Sequence, residues 1–276
     1  MNDLQNKGTT DLVDPALFGG RTGFEGIDSE CLQTPFLKLA QRATPEATEG
    51  DTKYISGLKP GMFFCPTTRK VYGPSPKLII VKFYRTYNVY DGEGPESKFK
   101  GQIGVDEYKT RIEPTAQRVK SYTVKDGLRY VDARNFIVLV DNHKEDGPML
   151  LTLSSTGVSP SRKWISSAMA ISVNRNGAIE KAPIWSSVWQ MNVQFFQDPK
   201  GSYHQIASAD RIGWISKTDA PAVRSLFNDL ADAQISVEEQ AHETTHTEAT
   251  AQASPVENVG AVFGGDKKPA DESDIW

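Results

Sequence analysis

The sequence predicts a mainly β, α+β protein: an elaborated OB-fold-like barrel with an internal helix, a C-terminal helix and a disordered tail. Three observations lead there. From Gly57 onward the chain is rich in β-branched and aromatic residues, and Lys77–Tyr90 (KLIIVKFYRTYNVY) runs without a glycine or proline, the pattern of a long strand. Helical patterns appear near residues 160–173 and again from Asp219, so the order is strands, helix, two strands, helix, an order shared with OB barrels. After about Ile235 the apolar pattern stops, and Glu, Ala, Thr and Gln take over, a composition that cannot bury a core.

Taken in order, Thr34–Ala40 is an apolar segment that docks on the body, and Thr44–Lys53 is a polar, acidic loop or turn. Gly61–Cys65 and Lys70–Tyr72 flank a turn rich in Pro and Thr. After the long strand, Asp91–Gly104 is a Gly/Glu/Pro loop. Gln117–Val124 and Leu128–Asp132 form a hairpin around Asp126-Gly127, a dipeptide suited to a tight turn. Asn135–Val140 is a buried apolar run, and Met149–Leu153 a further strand. Ser159-Pro160-Ser161 starts the internal helix, with serine as cap and proline at the first helical position. A loop closes at Pro183. Ile184–Phe196 and Tyr203–Ile215 are then long strands joined by a turn at Asp198–Gly201, the second interrupted near Asp210. In the last helix Val223, Leu226, Phe227 and Leu230 share a face.

Composition bounds the function. At 38% hydrophobic and 24% charged the chain is ordinary for a soluble protein, with no apolar run of bilayer-spanning length and no basic-then-apolar signal pattern in residues 1–30. A cytoplasmic location and no membrane partner are expected. Cys31 and Cys65 give neither metal spacing nor a disulfide framework. The net charge of −4 conceals an asymmetry: residues 1–30 carry −4, residues 236–276 carry −7, and residues 31–235 are left with +7. This division sets the expected domains: a flexible leader (1–30), a basic β-rich body (31–235) and an acidic tail (236–276). A basic body favours polyanions, and the tail competes for the same surface.

Within the body, cations and aromatic rings interleave. Strict alternation along the long strand puts Leu78, Ile80, Lys82, Tyr84, Thr86, Asn88 and Tyr90 on one face, and Ile79, Val81, Phe83, Arg85, Tyr87 and Val89 on the other. Lys98 and Lys100 follow, then Lys109 and Arg111, Lys120 and Tyr122, and Arg129 and Tyr130. Single-stranded nucleic acid is held by such sets, cations following the phosphates while bases stack on rings. The candidate binding residues are therefore Lys82, Tyr84, Arg85, Tyr87, Tyr90, Lys98, Lys100, Lys109, Arg111, Lys120, Tyr122, Arg129 and Tyr130. Half-exposed strands carry the same residue types for packing reasons alone, so the signal lies in the cluster and not in any one residue.

Other motifs point away from catalysis. Arg162 and Lys163 open the internal helix, where a phosphate would relieve their conflict with the helix dipole, but solvated charges beside a core Trp164 explain them as well. Trp185 and Trp189, four apart on one strand, continue through Met191, Val193 and Phe195 as a core-facing side. His242-Glu243-Thr244-Thr245-His246 matches the zinc-protease pattern, yet its flanks have no apolar face to fold a helix. Walker-type phosphate loops and Gly-x-Ser-x-Gly are absent. No catalytic residue, no metal and no cofactor are expected.

The chain closes on Asp271-Glu272-Ser273-Asp274-Ile275-Trp276, acids running into two apolar residues at the end of a polar stretch. This tip resembles the ending of single-stranded DNA-binding proteins of bacteria and phages, and the whole resembles a phage-type member: basic β-rich body, polar linker, acidic tip with a terminal aromatic. The tip lacks the bacterial Pro before a final Phe, which points to a phage-encoded partner. The resemblance implies a non-catalytic protein that coats single-stranded DNA in replication, recombination and repair. It implies recruitment of replication or recombination proteins through Asp271, Glu272, Asp274, Ile275 and Trp276, and allows a homo-oligomer. A nucleic-acid-processing enzyme such as a nuclease, or a virion or host-interaction protein, are the alternatives.

Overall fold

The fold is built around two long antiparallel strands whose apolar runs are buried on both sides. In the computed structural model, residues 35–92, 97–119, 122–198 and 201–231 are described. The short strands β1 (Lys38–Leu39), β2 (Phe63–Cys65) and β3 (Lys70–Gly73) form a small sheet of their own. Strand β4 (Lys77–Asp91) is central to the main sheet and is followed by β5 (Lys98–Gly104), a short helix α1 (Val105–Glu107) that runs on through a π-turn (Tyr108–Ile112), and β6 (Gln117–Val119). Then come β7 (Tyr122–Lys125), β8 (Leu128–Val140), β9 (Met149–Ser154) and helix α2 (Val158–Ala170). A hairpin of β10 (Ser172–Arg175) and β11 (Ala178–Lys181) leads to β12 (Ser187–Asp198), β13 (Gly201–Trp214) and helix α3 (Ala220–Ala231).

The main sheet has eight strands in the order β13-β12-β4-β8-β7-β6, with β5 paired to β4 and β9 to β8. It curls into a half-barrel, and the protein is mainly β with an internal helix and a C-terminal helix, as the sequence predicts. On one side of β4 and β8, Leu78, Ile80, Phe136 and Val138 meet Trp164 of α2, Trp189, Met191 and Ile206. Trp164 stacks on Phe136 at 4.5 Å, so truncating either ring to alanine costs about 3–5 kcal/mol. On the other side Ile79, Val81, Ile137 and Leu139 meet Phe36, Val188 and Val223 of α3. Burial on both faces explains why LIIV and FIVLV read as unbroken apolar runs. The docking segment sits as expected: Phe36 bridges to Leu150, and Leu37 donates its N–H to the Leu150 carbonyl at 3.0 Å.

Several boundaries differ from expectation. Lys98–Gly104 is strand β5, not loop, because it pairs along the free edge of β4. Gln117–Val124 divides into β6 and β7, which pair with each other. The expected turn at Asp126-Gly127 is present, both residues at positive φ (52° and 74°), but β8 then runs on through Asp132 and Arg134 without a break, because Arg85 on β4 neutralises Asp132. Helix α2 starts at Val158 with Gly157 as its cap, so Ser159 and Pro160 lie inside its first turn. The loop before Pro183 contains the β10–β11 hairpin; its Asn176-Gly177 turn, at φ 53° and 87°, is a signal the sequence did carry. Ile184–Ser186 is a helical turn ahead of β12, and β13 is continuous through Asp210. The predicted leader and the whole of the predicted tail, with its His242–His246 motif, lie outside the described residues.

Candidate functional site

One irregularity decides which side chains share a face. Register between β4 and β8 shifts between Ile80 and Lys82, leaving Val81 as an extra residue. A single inserted residue exchanges the two faces of a strand beyond it. Leu78 and Ile80 therefore share their side with Phe83, and Ile79 and Val81 share theirs with Tyr84. The strict alternation expected along the strand is thus overturned beyond Val81: Lys82, Tyr84, Thr86, Asn88 and Tyr90 continue the Ile79 side.

Near the middle of that side, helix α3 covers the strand. Lys82 donates from Nζ to the Leu230 carbonyl at 2.5 Å, holding the last turn of α3. Tyr84 packs among Val223, Leu226 and Phe227, and burial pushes its hydroxyl up to about 12. Both expected binding residues are thus engaged with α3 and are not presented to a ligand.

Farther along, the side opens. Tyr90 pairs with Arg129 across to β8 and with Phe99 across to β5. The Arg129 guanidinium lies 4.9 Å from the Tyr90 ring and 5.5 Å from the Tyr122 ring, and its Nη2 donates to Ser97 Oγ at 2.9 Å. Arg129 is 8% exposed, and its Nε is buried with no acceptor. Burial raises the Tyr90 hydroxyl above its ordinary range.

The opposite side of the same segment is a closed polar-aromatic network. Arg85 meets Asp132 through Nε at 2.7 Å and Nη2 at 3.0 Å, and Arg134 meets the same carboxylate at 3.0 Å. Arg85 also donates to the Tyr87 hydroxyl at 2.6 Å. Tyr87 stacks on Tyr108 at 3.5 Å, Tyr130 leans on Tyr108 at 6.2 Å, and the Tyr108 hydroxyl bonds Thr123 Oγ1 at 2.6 Å. Tyr87, Tyr108 and Tyr130 are buried, so these rings cement the π-turn segment to the sheet and offer no open stacking face. Arg85, Tyr87 and Tyr130 are brought together in this network, where their contacts are structural.

Cations at this end of the sheet remain at the surface. Lys98 and Lys109 are exposed and enter no ion pair among the described residues. Lys100 pairs with Asp91 at 3.3 Å and Arg111 with Glu107 at 3.1 Å, both in solvent, where such pairs contribute little. Lys120, Asp271, Glu272, Asp274, Ile275 and Trp276 lie outside the described residues.

The structure adds aromatic residues that sequence reasoning placed elsewhere or passed over. Trp185 and Trp189 do not share a side: Trp189 is buried with α2, and Trp185 packs with the α3 cluster, because the strand begins only after Trp185. Phe195, expected in the core, is 54% exposed near the β12–β13 turn, where Phe196 stacks on Tyr203 at 5.6 Å. Trp214 is 50% exposed with the Arg211 guanidinium 4.0 Å over its ring. A cation directly over a solvent-facing ring was legible only as Arg and Trp three apart on a strand.

Two further features lie outside this end of the sheet. His143, Glu145 and Asp146 bring three possible metal-ligand atoms within 4.8 Å of one another. The Asp146 carboxylate is already held by Lys70 at 2.8 Å and by the Tyr72 hydroxyl at 2.9 Å. Burial works against that carboxylate, but these two bonds outweigh it and keep its pKa below the ordinary value. The cluster is an ion-pair network that a cation would have to dismantle. An open groove of 420 Å³ between Trp185 and the start of α3 has Pro221, Arg224 and Asn228 on its wall. Among the described residues no helix is long and apolar enough to cross a membrane.

Comparison with known proteins places the chain. A family model described as Pam3 phage gp34-like protein matches residues 4–236. No curated protein and no solved structure matches. The chain belongs to the Pam3 phage gp34-like family, a family of bacteriophage proteins.

Proposed function

We propose that this phage-family protein is a non-catalytic single-stranded DNA-binding protein. It coats exposed strands during replication, recombination or repair in the host cytoplasm. It recruits partner proteins through the acidic tip Asp271, Glu272, Asp274, Ile275 and Trp276. The observation that carries the reading is the far end of the main sheet. Strand pairing gathers Arg129, Tyr122 and Phe99 on one side of it and Lys98 and Lys100 on the other, the side on which Tyr108 anchors the segment that carries Lys109 and Arg111. Exposed cations for phosphates and half-exposed rings for bases at one end of a sheet suit a sequence-tolerant single strand that passes over its edge. The acidic tail supports the same reading, since residues 236–276 carry −7 against a basic body.

The test is tryptophan fluorescence during titration with oligo(dT), against a duplex of equal length, at low and moderate salt. Trp164 and Trp189 are buried, so a change reports on the exposed ring of Trp214, the half-buried Trp185, or Trp276. Salt-sensitive quenching by the single strand, weaker with duplex, supports the proposal. A folded protein that binds neither would leave the virion or host-interaction alternative, and metal-dependent loss of the oligonucleotide would favour the nuclease.

A further inference from the structure

We infer that Arg129 is the base of an oxyanion site that takes a phosphoryl group. In the proposed function that group is a backbone phosphate of the bound strand, so this assignment of the source rests on the reading above. A guanidinium stays protonated at any working pH and carries five N–H donors. When it is buried, the lost hydration must be replaced by an anion or by acceptors. The protein does this for Arg85 and Arg134, which share the carboxylate of Asp132 at 2.7–3.0 Å. It does not do so for Arg129, on the other side of the same strand.

Arg129 is 8% exposed and forms no ion pair with any described carboxylate. Among the described residues its one hydrogen bond to a side chain runs from Nη2 to Ser97 Oγ, and its Nε–H, like that of Arg134, is buried with nothing to accept it, so the difference between the two lies in the carboxylate. The nearest acid on β4, Asp91, is one residue beyond Tyr90 and so on the opposite side, where Lys100 holds it at 3.3 Å. The rings of Tyr90 and Tyr122 offset part of the charge and fix the plane of the guanidinium. A fixed plane with donors left over is prepared for two parallel bonds to one oxyanion. A carboxylate supplied by the fold would make this a structural ion pair; among the described residues none does so, which leaves the position to a ligand. The half-exposed rings of Tyr122 and Phe99 beside it suit a base attached to that phosphate.

Two variants separate this from a packing role. Arg129→Met keeps length and contact with the rings but removes the charge; Arg129→Lys keeps a charge but not the fork. Affinity for (dT)20 is measured across a salt series, and thermal stability is measured in chloride and in inorganic phosphate at equal ionic strength. The expected result is a loss of roughly tenfold or more in (dT)20 affinity with Met, as for a charged hydrogen bond. The log–log salt slope should shrink by about 0.7 with Met and stay unchanged with Lys, although Lys binds more weakly. Phosphate should raise the melting temperature of the natural protein and not that of Arg129→Met. If the natural protein ignores (dT)20 but keeps the Arg129-dependent phosphate shift, the oxyanion site stands, free phosphate is its ligand and the DNA-binding reading fails. If (dT)20 binds with the same slope and affinity in Arg129→Met, the DNA-binding reading stands and the inference is overturned. Absence of both effects, with a lower melting temperature in the variant, makes Arg129 a packing residue and overturns the inference as well.

Discussion

Gln41 and His204, 163 residues apart in the chain, are locked by two hydrogen bonds: the Gln41 amide donates to the His204 carbonyl at 2.9 Å, and the His204 N–H donates to Gln41 Oε1 at 2.8 Å. The side-chain amide acts as a one-residue strand on the outer edge of β13, occupying backbone groups that an edge strand otherwise leaves open. Gly61 closes the same contact from below: a Cβ there would stand 2.7 Å from the His204 ring, and its φ of +87° is unfavourable for any other residue. This pins the small β1–β3 sheet against the β12–β13 hairpin. Gln41→Ala should cost about 1–3 kcal/mol by leaving two backbone groups unpaired. Gly61→Ala should cost a similar amount, about 1–3 kcal/mol, through backbone strain and overpacking. Urea unfolding of the two variants checks both; no change in midpoint for either would show that the lock carries no stability.

The same histidine gives a pH dependence. Burial lowers the pKa of His204, and its Nδ1 lies buried with no partner. The folded state therefore favours the neutral ring more than the unfolded chain does, and the unfolded chain takes up a proton more readily as pH falls. This contribution to stability is complete above the ordinary histidine pKa, near 6.5, and is lost progressively below it. The urea midpoint should drop between pH 7.5 and pH 5.5, and His204→Gln should flatten part of that drop. An unchanged slope in the variant would assign the effect to other groups.

Asp132 holds two guanidiniums, those of Arg85 and Arg134, in a half-buried setting. Asp132→Asn leaves both charges facing each other without an anion. The expected cost is about 1–3 kcal/mol, reduced from the fully buried case by partial solvation. High salt should recover part of the loss, since added anions screen the pair. A loss independent of salt would mean that the geometry of the hydrogen bonds, not the charge, was removed.

What the sequence showed, and what it hid, follows from where the information lies. Strand β4 and the second half of β8 were legible because LIIV and FIVLV are buried on both sides, and composition alone reports that. The first half of β8 read as broken at Asp132 and Arg134, since Arg85, which completes the ion-pair network with Asp132, comes from another strand. The extra residue at Val81 leaves no trace in composition, yet it exchanges the faces beyond it. It sends Tyr84 under α3 and aligns Arg85 with Tyr87 against the π-turn. The candidate cations were found as a set, but the feature that distinguishes Arg129 from Arg85 is the want of a carboxylate among the described residues, a tertiary fact with no local signature.

If the far end of the sheet is the binding surface, its free cations set the salt dependence. Lys98 and Lys109 are exposed and enter no ion pair among the described residues, so replacing both by glutamine should leave the fold intact, with changes within about 0.5 kcal/mol. The salt slope for oligo(dT) should fall by about 1.4, two phosphate contacts at about 0.7 each. Equal slopes for the natural protein and the double variant would place the strand on another surface, the exposed Trp214 edge of β13 being the next to probe.

The charge division makes the tail a competitor for that same surface. Residues 236–276 carry −7 and residues 31–235 carry +7, so the tail is a polyanion tethered to a basic body. A tethered anion acts at high effective concentration, set by the length of its linker, and it weakens a free ligand without altering a single contact that the ligand makes. Removing residues 236–276 should therefore raise the affinity for oligo(dT) at low salt. The gain should shrink as salt rises, because at physiological ionic strength exposed charges beyond about 8 Å are largely screened. Binding isotherms for the full and shortened chains at two salt concentrations separate the cases. A gain that is the same at both would point to steric blocking, and no gain at low salt would remove competition while leaving recruitment by Ile275 and Trp276 intact. Adding back a peptide of residues 266–276 to the shortened chain then tests whether the tip alone is enough to compete.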